Sequence, residues 1–132
     1  MAKLLRFSYI FADAIPKNSP VLIPDNWNGR HAFTISSRNH TIDIYEPDER
    51  YINEHTFIIN NKNRNSCGLA KRINALNKQE SIHYHNESFY DCKSAKLYDA
   101  IFIYESLHRN YHSNIPLFEK INKLNDSLKQ NG

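Results

Sequence analysis

Arg30-His31-Ala32-Phe33-Thr34-Ile35-Ser36-Ser37-Arg38-Asn39-His40-Thr41-Ile42-Asp43-Ile44-Tyr45-Glu46-Pro47 carries two alternating runs around the turn-prone pair Arg38-Asn39. His31, Phe33 and Ile35 alternate along the first run, and Ile42, Ile44 and Glu46 along the second. A two-residue loop at Arg38-Asn39 sets Ser37 opposite His40, Ile35 opposite Ile42, Phe33 opposite Ile44 and His31 opposite Glu46. All four pairs share one face, because strand side chains alternate with period two. Opposed residues of such a ribbon have Cβ atoms about 4.5–5.5 Å apart. The expected element is an antiparallel hairpin over residues 31–46 that presents an imidazole and a carboxylate together at its open end.

Around this stretch, a chain of 132 residues fits one domain with a real core. Hydrophobic residues make up 40% of it, enough for a globular fold and against wholesale disorder. The formal charge of +3 is spread along the chain, without the concentrated footprint of a dedicated nucleic-acid binder. Two cysteines, Cys67 and Cys92, do not make a disulfide framework. No secretory h-region or membrane-spanning apolar run is evident, and a cytoplasmic setting is expected, in the producing cell or a host cell.

Upstream, Leu4 to Phe11 reads as an aromatic-rich strand and Val21-Leu22-Ile23 as a strand or extended segment among prolines. Asp25 to Gly29 reads as a turn carrying Trp27, an anchor of the hairpin end. Downstream, residues 46–50 break the strand, His55 to Ile59 forms another, and Asn60 to Asn65 is a polar loop. A helix is predicted from about Ser66 to Asn77, with Leu69, Ala70, Ile73 and Leu76 as its apolar stripe. A second is predicted from Cys92 to about His112, with Ile101 to Tyr104 as an alternative strand. A third follows Asn114 and Pro116, with Leu117, Ile121, Leu124 and Leu128 as its stripe. The fold class expected is α+β: one domain over 1–132, a small antiparallel sheet with the 31–46 hairpin at its centre, and about three flanking helices.

The chemistry available is a thiol, an imidazole and a carboxylate. Cys67 opens the predicted Ser66–Asn77 helix, and a helix N-terminus or a neighbouring imidazolium stabilises a thiolate. With that end packed against His31, the imidazole takes the thiol proton while Glu46 fixes its orientation. The Cys67 amide and the Asn61 side chain are then the oxyanion donors. This set requires no cofactor and no metal.

At these residues the sequence resembles the clan of cysteine proteases and acyltransferases that includes adenain, the SUMO proteases and the YopJ-like effectors. The marks are His31-Ala32-Phe33-Thr34-Ile35, then Ile42-Asp43-Ile44-Tyr45-Glu46-Pro47, then Asn65-Ser66-Cys67-Gly68-Leu69, spanning about residues 27–77. Asn61 stands six positions before Cys67, where the clan commonly places an oxyanion-hole Gln. The resemblance implies an adenain-like or papain-like fold, a Cys67–His31–Glu46 triad, and a protein or peptide substrate such as a ubiquitin-like modifier or a host or viral protein. Nucleic acid and membrane are not the expected partners.

Two other readings stand beside it. One is a non-catalytic protein-binding effector or inhibitor on the same scaffold. The other is a nucleic-acid-binding protein or metal-dependent nuclease built on His83-Tyr84-His85, with Tyr98 or Tyr104 as nucleophile. His108 and His112 share a helical face but lack the intervening glutamate of a zinc-hydrolase helix.

Overall fold

The computed structural model describes residues 2–25, 29–103 and 114–130. In chain order the elements are α1 (Ala2–Ala14), β1 (Pro20–Ile23), α2 (Arg30–Ser36), β2 (Thr41–Tyr45), α3 (Glu49–Asn53), β3 (Glu54–Ile59), β4 (Lys62–Cys67), α4 (Leu69–Ala75), β5 (Ile82–His85), a 3-10 turn (Phe89–Asp91), β6 (Ala100–Ile101) and α5 (Leu117–Asp126). Four strands form a parallel sheet in the order β5-β2-β1-β6, and β3 pairs with β4 in a separate antiparallel ribbon. Val21 lies beside Ile42 on one side and Ala100 on the other, and Ile42 lies in turn beside Ile82. Val21, Leu22, Ile42 and Ile44 are wholly buried, as central strands covered on both faces must be.

The hairpin expected over 31–46 does not form, and the small antiparallel α+β fold built on it is corrected to an α/β fold with helices on both faces of a parallel sheet. Its first arm is α2, and only its second arm is a strand. The alternation of His31, Phe33 and Ile35 concealed a helix, since the residues buried are Ala32, Thr34, Ile35 and Ser36 and not alternate ones. Hydroxyls that suit a strand are accommodated here by bonding back along the helix: Thr34 to the Arg30 carbonyl, Ser36 to Phe33 and Ser37 to Thr34. Asn39, at φ 65°, turns the chain out of α2 and into β2.

The Leu4–Phe11 segment, expected as a strand, lies inside α1. Ser8 and Ala12 are buried, with Phe11 and Ile15 partly so, a spacing of helical rather than strand type. β3 agrees with the strand expected over 55–59, but the expected polar loop is instead a tight turn at Asn60-Asn61, both with positive φ, followed by β4. α4 begins at Leu69, later than expected, because Gly68 caps it and Cys67 still belongs to β4. A Cβ at Gly68 would stand 2.2 Å from the Asn53 carbonyl, so the glycine lets α3 and α4 close on the ribbon base. Residues 92–103 are not helical and lead through β6, and the remainder of the expected Cys92–His112 helix lies outside the described residues, as does Trp27. α5 matches the last predicted helix, with Pro116 at its cap.

The sheet divides the core. Val21, Ile23, Ile42, Ile44 and Ile82 pack with Ala12, Ile35, Leu69, Ile73 and Phe102 on the side of α1, α2 and α4. Leu22 and Tyr45 pack with Phe89, Tyr90, Tyr98 and Leu124 on the side of the 3-10 turn and α5. His40 is a polar tie at the amino edge: its Nδ1 accepts from the Ser19 amide at 3.2 Å, and its Nε2 donates to the Ala12 carbonyl at 2.8 Å. Among the described residues no helix is long and apolar enough to cross a membrane.

Candidate functional site

In an open parallel sheet, ligands bind beyond the carboxyl ends of the strands, at the point where successive connections leave in opposite directions. Here that point lies between β1 and β6. The chain goes from β1 outward to β2 and β5, then returns to place β6 on the other side of β1. The residues at this edge are Asp25 after β1, Gly29, Arg30 and His31 at the start of α2, Glu46 after β2, and Phe102 and Ile103 after β6.

Gly29 has φ 82°, a left-handed conformation that a side chain would strain, and it turns the chain into α2. Glu46 has 0% exposure, and its backbone N–H donates to the His85 carbonyl at 3.0 Å, which fixes it at the β2–β5 step of the edge. A carboxylate so buried is costly unless donors surround it. His31 shares a 2.5 Å hydrogen bond between Nδ1 and the Ser8 hydroxyl, and its ring packs on Phe102 with centroids 5.1 Å apart. Burial, and then the Arg30 charge, hold its pKa below the ordinary histidine value. Across α2, the Arg72 guanidinium lies over the Phe33 ring at 4.5 Å. Its pKa is lowered by burial and by Arg30, with Cys67 acting in the opposite direction.

On the other face of β2, Asp43 accepts from Lys96 at 2.5 Å and from the Tyr98 hydroxyl at 2.9 Å. Its second oxygen lies 3.7 Å from His85 Nε2, and the His85 ring stacks on Tyr45. Burial, followed by the bond to Asp43, raises the Tyr98 pKa. This cluster clamps the segment before β6 onto the sheet.

The structure distributes the expected triad differently. His31 and Glu46 both reach the carboxyl edge, but not as opposed residues of a hairpin. His31 bonds toward α1 and packs on Phe102, on the β6 side of β1, whereas Glu46 ends β2 on the other side. Cys67 is the exposed last residue of β4, paired in register with Glu54. Asn61, its intended oxyanion partner, is in the turn at the far end of the ribbon. Six residue steps along the strand separate the two, about 20 Å of extended chain, so Asn61 cannot serve an oxyanion at Cys67. His83 and His85 lie on β5, in register with Asp43 and Tyr45. Tyr104, His108 and His112 lie outside the described residues. Sequence reasoning passed over Gly29, Asp25 and Phe102. The signal for them was the apolar Val21-Leu22-Ile23, then a glycine before a helix, then a second apolar strand ending in an acid.

No family model matches the chain, and no curated protein matches it. Among solved structures it is similar to one described as "putative rRNA-methylase from Clostridium thermocellum", with a TM-score of 0.62 and 12% identity over 98% of this chain and 67% of that one. At that identity the likeness is one of fold, a Rossmann-like α/β architecture. It overturns the adenain-like or papain-like fold and, with it, the expectation of a cysteine protease, other cysteine hydrolase or acyltransferase.

Proposed function

We propose that the chain is an S-adenosylmethionine-dependent methyltransferase domain that binds its cofactor at the carboxyl edge of the sheet. The observation that carries this reading is the wholly buried Glu46 carboxylate at the end of the second strand of a parallel β5-β2-β1-β6 sheet. In nucleotide-binding folds of this kind, an acid at that position accepts hydrogen bonds from ribose hydroxyls. The solved structure of similar fold, described as an rRNA methylase, supports the choice of chemistry.

The residues fit an adenosine-bearing cofactor better than a dinucleotide. A pyrophosphate requires several glycines for close backbone approach, whereas Gly29 is the one glycine between β1 and α2. S-adenosylmethionine carries the ribose without a pyrophosphate, and when bound it supplies an electrophilic methyl group on its sulfonium. Glu46 would hold the ribose, and Gly29 allows the α2 entrance to approach it. His31, kept neutral by burial, places a proton-accepting ring beside the β1–β6 crevice.

Isothermal titration with S-adenosylmethionine and S-adenosylhomocysteine tests the proposal. The expected result is saturable binding by the wild type and at least about tenfold weaker binding by Glu46→Gln, since a lost charge-assisted hydrogen bond is worth about 1.5–3 kcal/mol. Circular dichroism should show Glu46→Gln folded. Absence of wild-type binding to either compound, or unchanged binding by folded Glu46→Gln, would contradict it.

A further inference from the structure

The β3–β4 ribbon is inserted between α3 and α4, outside the central sheet. Its tight Asn60-Asn61 turn, with φ 50° and 60°, is the twisted type that keeps two strands in register, so it projects as a formed arm. Lys62, Asn63, Arg64 and Asn65 are exposed along β4, and Ile58 and Ile59 are 72% and 42% exposed near the tip.

Antiparallel register partners share a face. Lys62 pairs with Ile59, Arg64 is two residues on, and Ser66 pairs with His55, so both cations and His55 share one face. At its base the His55 ring packs against Tyr51, with centroids 4.5 Å apart. Glu54, the one acid in the ribbon sequence, pairs with Cys67 on the opposite face. The acids of neighbouring α3 are engaged: Asp48, its cap, by Arg50 at 2.7 Å, and Glu49 by Asn53 at 3.0 Å. Among the described residues, neither Lys62 nor Arg64 makes an ion pair. The cationic character continues beyond the ribbon, since Arg72 is close enough to Arg30 for that charge to lower its pKa, and Arg30 opens α2 at the sheet edge.

We infer that this ribbon is an RNA-docking arm that leads a single-stranded RNA segment toward the carboxyl edge. Lys62 and Arg64 are about 6.6 Å apart along the strand, so both reach phosphates of one short stretch of nucleic-acid backbone. Asn63 and Asn65 lie on the other face of the ribbon, where the Asn65 Oδ1 accepts from the Thr56 hydroxyl at 3.0 Å, so contact on the cationic face falls to the phosphates and to stacking. The Tyr51–His55 ring pair offers a surface for stacking. The cationic face carries no acid of the ribbon, so its charge is complementary to a polyanion.

The arm names the substrate class for the methyl-transfer site and rests on that reading, and its test uses no cofactor, so failure to bind RNA and failure to bind the cofactor are distinguishable. The experiment is fluorescence anisotropy with a labelled mixed-sequence single-stranded RNA between about 50 and 200 mM salt. The double variant Lys62→Gln/Arg64→Gln is compared with Lys17→Glu, which lowers the net charge equally in the exposed turn at the opposite, amino edge of the sheet. The expected result is salt-dependent wild-type binding, about tenfold weakened in the double variant, with a log–log salt slope shallower by about 1.4. Lys17→Glu should stay within about twofold of wild type, because most of the salt-dependent term comes from direct phosphate contacts. Equal losses in the two variants, no salt-dependent binding by the wild type, or equal affinity for DNA of the same sequence would overturn the inference.

Discussion

Glu46, wholly buried just after β2, is the residue proposed to hold the ribose. His31 is the second residue at that edge with a function-bearing environment, and its burial has a measurable consequence. Its folded pKa lies below the ordinary histidine value of about 6.5, so below that pH the unfolded chain binds more protons than the folded one. The contribution of His31 is therefore intact above about pH 6.5 and lost progressively as pH falls toward its folded pKa. His31→Gln is expected to flatten this part of the acid loss, seen as a smaller drop in urea midpoint between about pH 7 and pH 5 than in wild type. An unchanged pH dependence would show that His31 does not carry it. Both residues drew notice in the sequence because each ends an alternating run. Their placement was not legible, because period-two alternation over only His31, Phe33 and Ile35 is too short to exclude a helix, here one that buries Ile35 together with Ala32, Thr34 and Ser36.

At the scale of elements, the misassigned ones were those where side-chain chemistry overrides propensity. The hydroxyls of Thr34, Ser36 and Ser37 return to helix carbonyls in α2, and the aromatic run of α1 buries Ser8 and Ala12 rather than alternate positions. The elements read correctly were β3 and α5, the latter bounded by Pro116 at its cap although it buries Lys120 and Leu124 and leaves Leu117 and Ile121 of the expected stripe exposed. The junction at Gly68 was invisible in one dimension, since it depends on the approach of Asn53. Gly68 has φ −71°, so its requirement is one of space and not of backbone freedom. Gly68→Ala should therefore cost about 1–3 kcal/mol of stability by overpacking, measured as a lowered urea midpoint with unchanged slope. A variant as stable as wild type would mean that α3 and α4 are not held together at that point.

For the whole molecule, the decisive fact is that each of β1, β2 and β5 is followed by a crossover rather than a hairpin. A parallel sheet needs that arrangement, and it creates a carboxyl edge where loops and helix starts converge. Local patterning shows where strands are but not which neighbours they choose, so Val21-Leu22-Ile23 gave no hint that it would sit between β2 and β6. Net charge is likewise silent about local placement. The +3 total is unremarkable, while the ribbon gathers Lys62 and Arg64 on a face without acids. The account as a whole makes the carboxyl edge the cofactor site and the ribbon a separate docking arm. Amide chemical-shift mapping with S-adenosylhomocysteine tests this most directly. Perturbations are expected to concentrate at Asp25, Gly29 to His31, Glu46 and Phe102 to Ile103, leaving β3 and β4 unmoved. Perturbations centred on the ribbon or on the amino edge, or none at saturating ligand, would contradict it.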